Sequence, residues 1–497
     1  MTLVKDEFVS RTDHRAHASG APRDPIIDHY MQLPNKEVNK YKNRMKYVAR
    51  MDKAWTVMLY RQGLLKRETA LKLFPALDKE EQNHGWGGED WLKDELDGDE
   101  YTASAVNYGR TLQEPMYRMA MREALLDVFD ELFETLETIL DKSEENADAM
   151  MAGQSHYSHA QPTTYGAYLL AVHDGMSRAL EQIELAYKNT NMNSGGCGAC
   201  SGTGWPVDRN MITELLGFDE TIELTYDCEA SQDEIPQIMF ALSSLALTIE
   251  RAAMDHGIWG REEIGAIELT PPWKGLSSFM PQKAHMGGHF ENVRRGANAV
   301  LGQMMTVLIT FKHESVQDNL PVYGSPHNVF DGCCNARKML GLWSNILKNT
   351  IVRRERMLEI VKEGYSGAPD LAIKLIRGQD YAGRQAHRIC ATCVRLARER
   401  GIKPYDMTGE LLDEAARVTG DPEPHLTTEE VQDAMSLDTF FEKHCNLGDP
   451  CPSETLRMIG LRRNDLNKAQ ERQKARRDKL VKAEQLLAEE IDKIINE

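Results

Sequence analysis

Ser277 and Ser278 stand side by side in Gly275-Leu276-Ser277-Ser278-Phe279-Met280-Pro281-Gln282-Lys283, with a lysine closing the segment. Glycine and proline shape such a loop, and its backbone N–H groups can converge on an anion. A serine there can be activated, and a lysine can neutralise a carboxylate. A second segment, Gly153-Gln154-Ser155-His156-Tyr157-Ser158-His159-Ala160-Gln161-Pro162-Thr163-Thr164, sets two histidines near a Pro-punctuated turn with hydroxyls beside them. Those residue types can move a proton near neutral pH. A third, Asn107-Tyr108-Gly109-Arg110-Thr111, precedes a long helical run, where helix dipole, N–H groups and a guanidinium could together hold a carboxylate. Taken singly, each has an ordinary reading: a surface loop, a pair of structural histidines and a helix cap.

The elements that must position these segments read as helices. From Pro115 a run without internal Gly or Pro carries Leu125, Phe129, Leu132, Leu136 and Ile139 on one face. A second run opens at Pro236, a favourable first-turn position, with Ile238, Leu242, Leu245 and Ile249 on a stripe. A third starts after Gly288 and passes through Val293, Ala297, Val300 and Leu301 toward Lys312, and a fourth covers Asn335 to Ile360. Alternating strand patterns are nearly absent. Runs of about 25 to 30 residues exceed the average globular helix and favour a bundle. The expectation is an all-α protein with a central helix bundle over 106–360. An N-terminal helical domain (1–105) and a small C-terminal helical domain (361–460) flank it. A charged amphipathic helix (461–497) follows, with Leu480, Leu487, Ile491 and Ile494 on one stripe.

Composition narrows the function classes. The chain has 497 residues, more than one hydrophobic core usually serves, so about two to four domains are expected. Hydrophobic residues make up 41% and charged ones 27%, which suits a globular protein in water. The net charge of −18 argues against a general nucleic-acid binder, which needs a basic surface. A local cluster of cations and N–H groups can still hold a small anion. No apolar run approaches the roughly 20 residues needed to span a bilayer, and the first residues carry no apolar signal core. Nine scattered cysteines, an odd number, point to a reduced, cytoplasmic protein. Cys197 and Cys200 form a CxxC, but no nearby histidine pair completes a metal site, so they read as structural.

The three segments, in this order and separated by long helices, resemble the aspartase/fumarase superfamily. Its common pattern is GSSxMPxKxN in the loop and [ST]H followed by an A-x-P element upstream. This chain matches it with Ser277, Ser278, Met280, Pro281 and Lys283, and with Ser155, His156, Ala160 and Pro162. Within the superfamily it looks most like argininosuccinate lyases, whose loop also reads MPQK, as Met280 to Lys283 do here. Gly202-Thr203-Gly204-Trp205-Pro206-Val207-Asp208-Arg209 resembles their GTGFPIDR, and Arg354-Glu355-Arg356-Met357 their RERM. Gly364-Tyr365-Ser366 and Arg384-Gln385-Ala386-His387 resemble their small C-terminal domain.

The resemblance implies a homotetramer whose central helices build a twenty-helix core, each active site drawing its three motifs from three subunits. It implies β-elimination at a C–N bond of a succinyl compound with release of fumarate, an amidine-lyase type of chemistry in amino-acid metabolism. No metal or organic cofactor is implied, and no nucleic-acid or membrane partner. Ser277 would be the general base, Lys283 and the loop N–H groups would stabilise the aci-carboxylate, and His156 would bind or transfer a proton, oriented by Glu291. Substrate contacts would come from Arg110, Thr111, Gln113, Ser155, Gln161, Ser278, His285, Tyr323 and Asn328.

The departures from the family pattern fall on residues that choose a substrate. The loop asparagine becomes His285 and the following proline Met286, and Glu291 sits one position late. The arginine after Gly-Arg gives way in Thr111-Leu112-Gln113, another is lost in Ser231-Gln232-Asp233-Glu234, and the expected Gln and Lys near Tyr323 fall at Asn328 and Asp331. A carboxylate in place of a lysine changes the local charge by two units. On that ground the leaving amine is expected to carry fewer carboxylates or an added positive charge, met by Asp233 and Asp331. The other readings are a true argininosuccinate lyase with a divergent site and a non-catalytic, crystallin-like relative.

Overall fold

Wherever apolar residues recur every three or four positions through the middle of the chain, the computed structural model has a long helix. It describes residues 19–83, 87–111, 115–277, 279–282, 284–285 and 287–497. The N-terminal part holds α1 (Pro25–Lys42), α2 (Met45–Arg61) and α3 (Arg67–Gln82). Next come α4 (Met116–Glu145), α5 (Tyr165–Thr190), the short α6 (Thr225–Ala230), α7 (Glu234–Trp259), α8 (Gly287–Phe311), the one-turn α9 (Leu320–Tyr323) and α10 (Pro326–Lys348). Five of these close a ring: α4 packs on α5, α5 on α7, α7 on α8, α8 on α10, and α10 returns to α4. Leu125, Phe129, Leu132, Leu136 and Ile139 of α4, with Ile238, Leu242, Leu245 and Ile249 of α7, are buried in the shared core. Val293, Ala297 and Val300 of α8 join them there.

Two sequence expectations need correction. The fourth run is not continuous: α10 stops at Lys348, and the β-branched stretch Thr350–Val352 pairs antiparallel with Ile267–Leu269 before α11 (Arg354–Glu363) begins. Strand structure also appears where none was expected. β1 (Met150–Ser155) and β2 (Ser158–Thr164) form an antiparallel hairpin between α4 and α5. Only its root is buried, at Met151, Ala152, Pro162 and Thr164, so the period-2 burial that marks a strand in a sequence does not run along it.

Beyond the bundle, α12 (Ala368–Gln379), α13 (Gly383–Glu399) and α14 (Gly409–Thr419) enclose a separate apolar cluster that includes Leu375, Ile389, Cys393 and Leu412. The last helix, α15 (Pro452–Asn496), begins at Pro452 rather than Leu461, with proline at its first position. It lies along α4, α2 and α3 of its own chain. Leu487 and Ile494 are buried, and Arg462 and Arg472 bridge to Asp174 and Glu184 of α5 at 2.7 and 3.0 Å. Its charged face is thus partly spent on the bundle. The cysteines are not all reduced: Cys445 and Cys451 form a disulfide across a turn in which Asp449 accepts from the Asn446 N–H at 2.7 Å. No helix among the described residues is long and apolar enough to cross a membrane.

Candidate active site

The hairpin carries the histidine segment. Ser155 pairs with Ser158, leaving His156 and Tyr157 as a two-residue turn with φ of 52° and 59°. Both sit in the left-handed region, the geometry of a type I′ turn, which ordinarily favours Asn and Gly. Strained non-glycine residues at an exposed tip are a mark of functional positions. Tyr157 is 95% exposed, and Ser155, His156, His159 and Gln161 also face solvent. The root is held firmly: the Tyr165 N–H donates to Ala149 O at 2.9 Å, and the Tyr165 hydroxyl reaches His256 Nε2 at 2.7 Å. His256 Nδ1 lies 2.8 Å from Ala252 O and donates to it, so Nε2 accepts from the tyrosine. Burial brings the His256 pKa down to about 4, and this is a core histidine. A cavity of about 640 Å³ opens between the hairpin, α7 and α11, with His156, His159, Arg251, Asp255 and Arg356 in its wall.

The serine loop is a second hairpin. β strands Gly275–Leu276 and Ala284–His285 pair antiparallel, and the loop spans the residues between. Ser277 Oγ accepts hydrogen bonds from the N–H groups of Phe279 at 3.2 Å and Met280 at 3.0 Å. Donors aimed at a hydroxyl oxygen stabilise its deprotonated form. The loop projects outward, with Phe279 90% exposed. Glu291 follows on α8 and is exposed. Ser278 and Lys283 lie outside the described residues, as does Gln113; His285 is placed by its backbone alone, opposite Gly275.

The Gly-Arg-Thr turn departs from its expected role. Gly109 adopts φ 77°, and a Cβ there would come within 3.0 Å of Trp205. Arg110 turns inward to an ion pair with Asp52 in which both side chains are fully buried. Its Nε donates to Val106 O at 3.0 Å, and its guanidinium lies 5.6 Å from the Trp55 ring. Glu80 stands beside this pair, and burial, then the Asp52 charge, raises its pKa to about 8. Arg110 therefore fixes the turn from within the core instead of reaching substrate. Thr111 remains exposed.

Thr111 and Tyr323 share one cavity of about 460 Å³, whose wall also includes Arg118, Glu229, Gln232 and Glu234. The sequence reading missed Arg118, a charged residue inside an apolar helical run. It pairs with Glu234 at 2.9 Å, both side chains nearly buried, and donates to Asn189 O at 2.8 Å. The Tyr323 hydroxyl is shut off from solvent without a hydrogen-bond partner among the described residues. Such an orphan costs about 1–3 kcal/mol unless a ligand engages it. Asn328 is half-buried at the start of α10. Among the described residues no hydrogen bond or ion pair joins the Ser277 loop, the His156 turn and the Tyr323 cavity.

A family model described as "Lyase" matches residues 95–302, a span that takes in the first two segments, the serine loop and most of α8. The argininosuccinate lyase of Methanothrix thermoacetophila is 29% identical over 90% of this chain and 92% of its own length. That of Methanocaldococcus jannaschii is 27% identical over 88% and 91%. Among solved structures, EDDS lyase in complex with formate superimposes with a TM-score of 0.88 at 24% identity, covering 96% of this chain and 97% of its own. A variant of EDDS lyase with bound fumarate gives 0.87 over the same shares. The chain is similar to lyases of the aspartase/fumarase superfamily over most of its length.

In this chain the two acidic residues noted above each have a side-chain donor beside them. Asp331 accepts from Lys42 Nζ of α1 at 2.9 and 3.2 Å, and Asp233 accepts from Gln237 Nε2 at 2.6 Å. Lys42 thus offsets the charge of Asp331, whereas the partner of Asp233 is a neutral amide. Lys42 also helps depress the pKa of His327, after burial, and Arg44 acts on His327 and Tyr323 in the same sense. The α1–α2 turn thus brings positive charge to the cavity rim.

Proposed function

We propose that this protein is a carbon–nitrogen lyase that eliminates an amine from an N-substituted aspartate and releases fumarate. The observation that carries the proposal is Ser277 Oγ, held by the N–H groups of Phe279 and Met280 in a projecting hairpin loop. A proton beside a carboxylate is weakly acidic, so its removal needs a base whose charge is already stabilised and donors for the dianion that forms. Ser277 takes the Cβ proton. Lys283, Ser278 and the loop N–H groups meet the aci-carboxylate, with His285 taking the place of the family asparagine. His156, oriented by Glu291, acts at the leaving nitrogen or its carboxylates, with Ser155 and Gln161 beside it. Thr111, Gln113, Tyr323 and Asn328 hold the amine side. Loop closure removes water and strengthens each of these contacts.

The site is completed by other copies of the chain in a homotetramer. Phe240, Leu247 and Met254 recur at seven-residue spacing on the exposed face of α7, and Met305, Leu308 and Ile309 are exposed on α8. A seven-residue apolar repeat is the seam of packed helices, and five bundle helices from each of four chains make a twenty-helix core. A second reading, true argininosuccinate lyase, gains support from Lys42: its pairing with Asp331 removes the repulsion that a carboxylate-bearing amine would otherwise meet.

Fumarate release, followed by ultraviolet absorbance over a panel of N-substituted aspartates that includes argininosuccinate, tests the proposal. Ser277→Ala should lower turnover by about two to four powers of ten with the fold intact. Turnover unchanged in that variant would remove Ser277 as the base. No fumarate from any compound, in a protein of correct assembly, would favour the non-catalytic relative.

A further inference from the structure

The CxxC singled out in the sequence does not pair with itself. Cys197 and Cys228, the latter on α6, lie together in a small apolar cluster with Ile222. Their surroundings are unequal. Cys197 Sγ donates to Glu229 Oε1 at 3.1 Å, so its proton faces a carboxylate. Cys228 Sγ accepts from Arg209 Nη2 at 3.1 Å, and that arginine is fixed by further bonds to Gly195 O and Ile222 O at 2.9 and 2.7 Å. The Cys197 hydrogen bond, then Arg209, hold the Cys228 thiol below the ordinary range against the opposing effect of burial. Elsewhere burial dominates: it pushes Cys334, Cys390 and Cys393 up to about 12 and Cys333 well above the ordinary thiol range. Cys228 also lines the cavity that Thr111 and Tyr323 share, which gives a small reagent a path to it.

We propose that Cys228 and Cys197 form an oxidisable dithiol, with Cys228 the nucleophile toward hydroperoxides and Cys197 the resolving thiol. The Cys228 thiolate attacks one peroxide oxygen and breaks the O–O bond, leaving a sulfenic acid and a hydroxide that is protonated to water. Cys197 passes its proton to Glu229, and its sulfur attacks the Cys228 sulfur, expelling a second hydroxide that takes up the proton as water. In sum two thiols are oxidised to one disulfide and one hydrogen peroxide is reduced to two waters. Bridging also takes from Glu229 its thiol donor, and Glu229 and Gln232 line the same cavity.

The test uses the full chain, reduced, desalted and exposed to a modest molar excess of hydrogen peroxide. Remaining thiols are alkylated, and peptides are mapped by mass spectrometry without reductant. The expected result is a Cys197–Cys228 linked peptide, lighter by two hydrogens than its parts and lost on treatment with dithiothreitol. Alkylation at both cysteines should disappear as it forms, while Cys333, Cys390 and Cys393 stay reduced. Cys197→Ser should leave a sulfenic acid at Cys228 that dimedone traps, and Cys228→Ser should give no bridge. A Cys197–Cys200 bridge as the main product would overturn the proposal. So would a Cys228 that remains fully alkylatable, or the absence of a dimedone adduct in Cys197→Ser. The wild-type mapping decides the pairing even if a serine variant fails to fold.

Discussion

Arg110→Met separates a substrate arginine from a structural one. The guanidinium is fully buried against Asp52, which has one oxygen, Oδ2, without a donor except the neighbouring Glu80. Removing the cation leaves a buried negative charge with no counter-ion, and the cheapest relief is protonation of Asp52. Bringing a carboxyl of ordinary pKa 3.8 to its neutral form at pH 7 costs about 4 kcal/mol, at about 1.4 kcal/mol per pH unit. That agrees with the roughly 3–5 kcal/mol typical of breaking a buried ion pair from one side. The same reasoning makes the loss pH-dependent, shrinking to about 2 kcal/mol at pH 5. The assay is urea unfolding of wild type and variant at both pH values, beside kcat and KM for fumarate release. The midpoint should fall strongly at pH 7 and much less at pH 5, and Asp52→Asn in the same chain should restore much of the loss. An unchanged midpoint with a raised KM would refute the argument and return Arg110 to the substrate.

Two further outcomes follow from the same buried and exposed groups. Glu80 has its pKa raised from 4.5 to about 8, so the folded state holds a proton that the unfolded state releases above pH 4.5. That stabilisation is complete below about 4.5 and is lost as pH rises toward about 8, at up to about 1.4 kcal/mol per unit. Glu80→Gln should flatten the fall of the urea midpoint across that window, and an unchanged slope would exclude Glu80 as its source. Leu247→Glu puts a charge into the exposed seven-residue repeat of α7. Sedimentation should show smaller assemblies and specific activity at least about tenfold lower, whereas a fully active tetramer would place the subunit contact elsewhere.

Helical periodicity made the bundle legible because α4, α7 and α8 each bury a regular stripe, as Leu125 to Ile139 and Ile238 to Ile249 do. It failed where burial is local. The β1–β2 hairpin buries only its root, and the short strand Thr350–Val352 interrupts a run whose residues would also suit a helix. The start of α15 was hidden because its first apolar residues form no buried stripe: Leu456 and Leu461 are exposed, and Ile459 is buried. Among the site segments, motif spacing found the serine loop and the histidine turn but could not show which way a side chain points. Arg110 looked like an anion ligand because its sequence neighbours are polar; its partner, Asp52, is contributed by α2 from far earlier in the chain. Arg118 was passed over for the opposite reason, since its partner Glu234 lies on another helix.

The charge changes around the Tyr323 cavity show the same limit. Read by position, Asp331 in place of lysine reverses the local sign. Read in space, Lys42 lies 2.9 Å from it, so the pair is close to neutral, and Arg44 bears on Tyr323 and His327 from the same turn. Arg118 is likewise offset by Glu234, with its guanidinium still in the cavity wall. A carboxylate entering this cavity therefore meets a field set by α1, α2 and α4 together, and the substitution at Asp331 alone does not repel it. A ligand group that reaches the buried Tyr323 hydroxyl satisfies a polar atom without a partner among the described residues, and one too short to reach it leaves that cost in place.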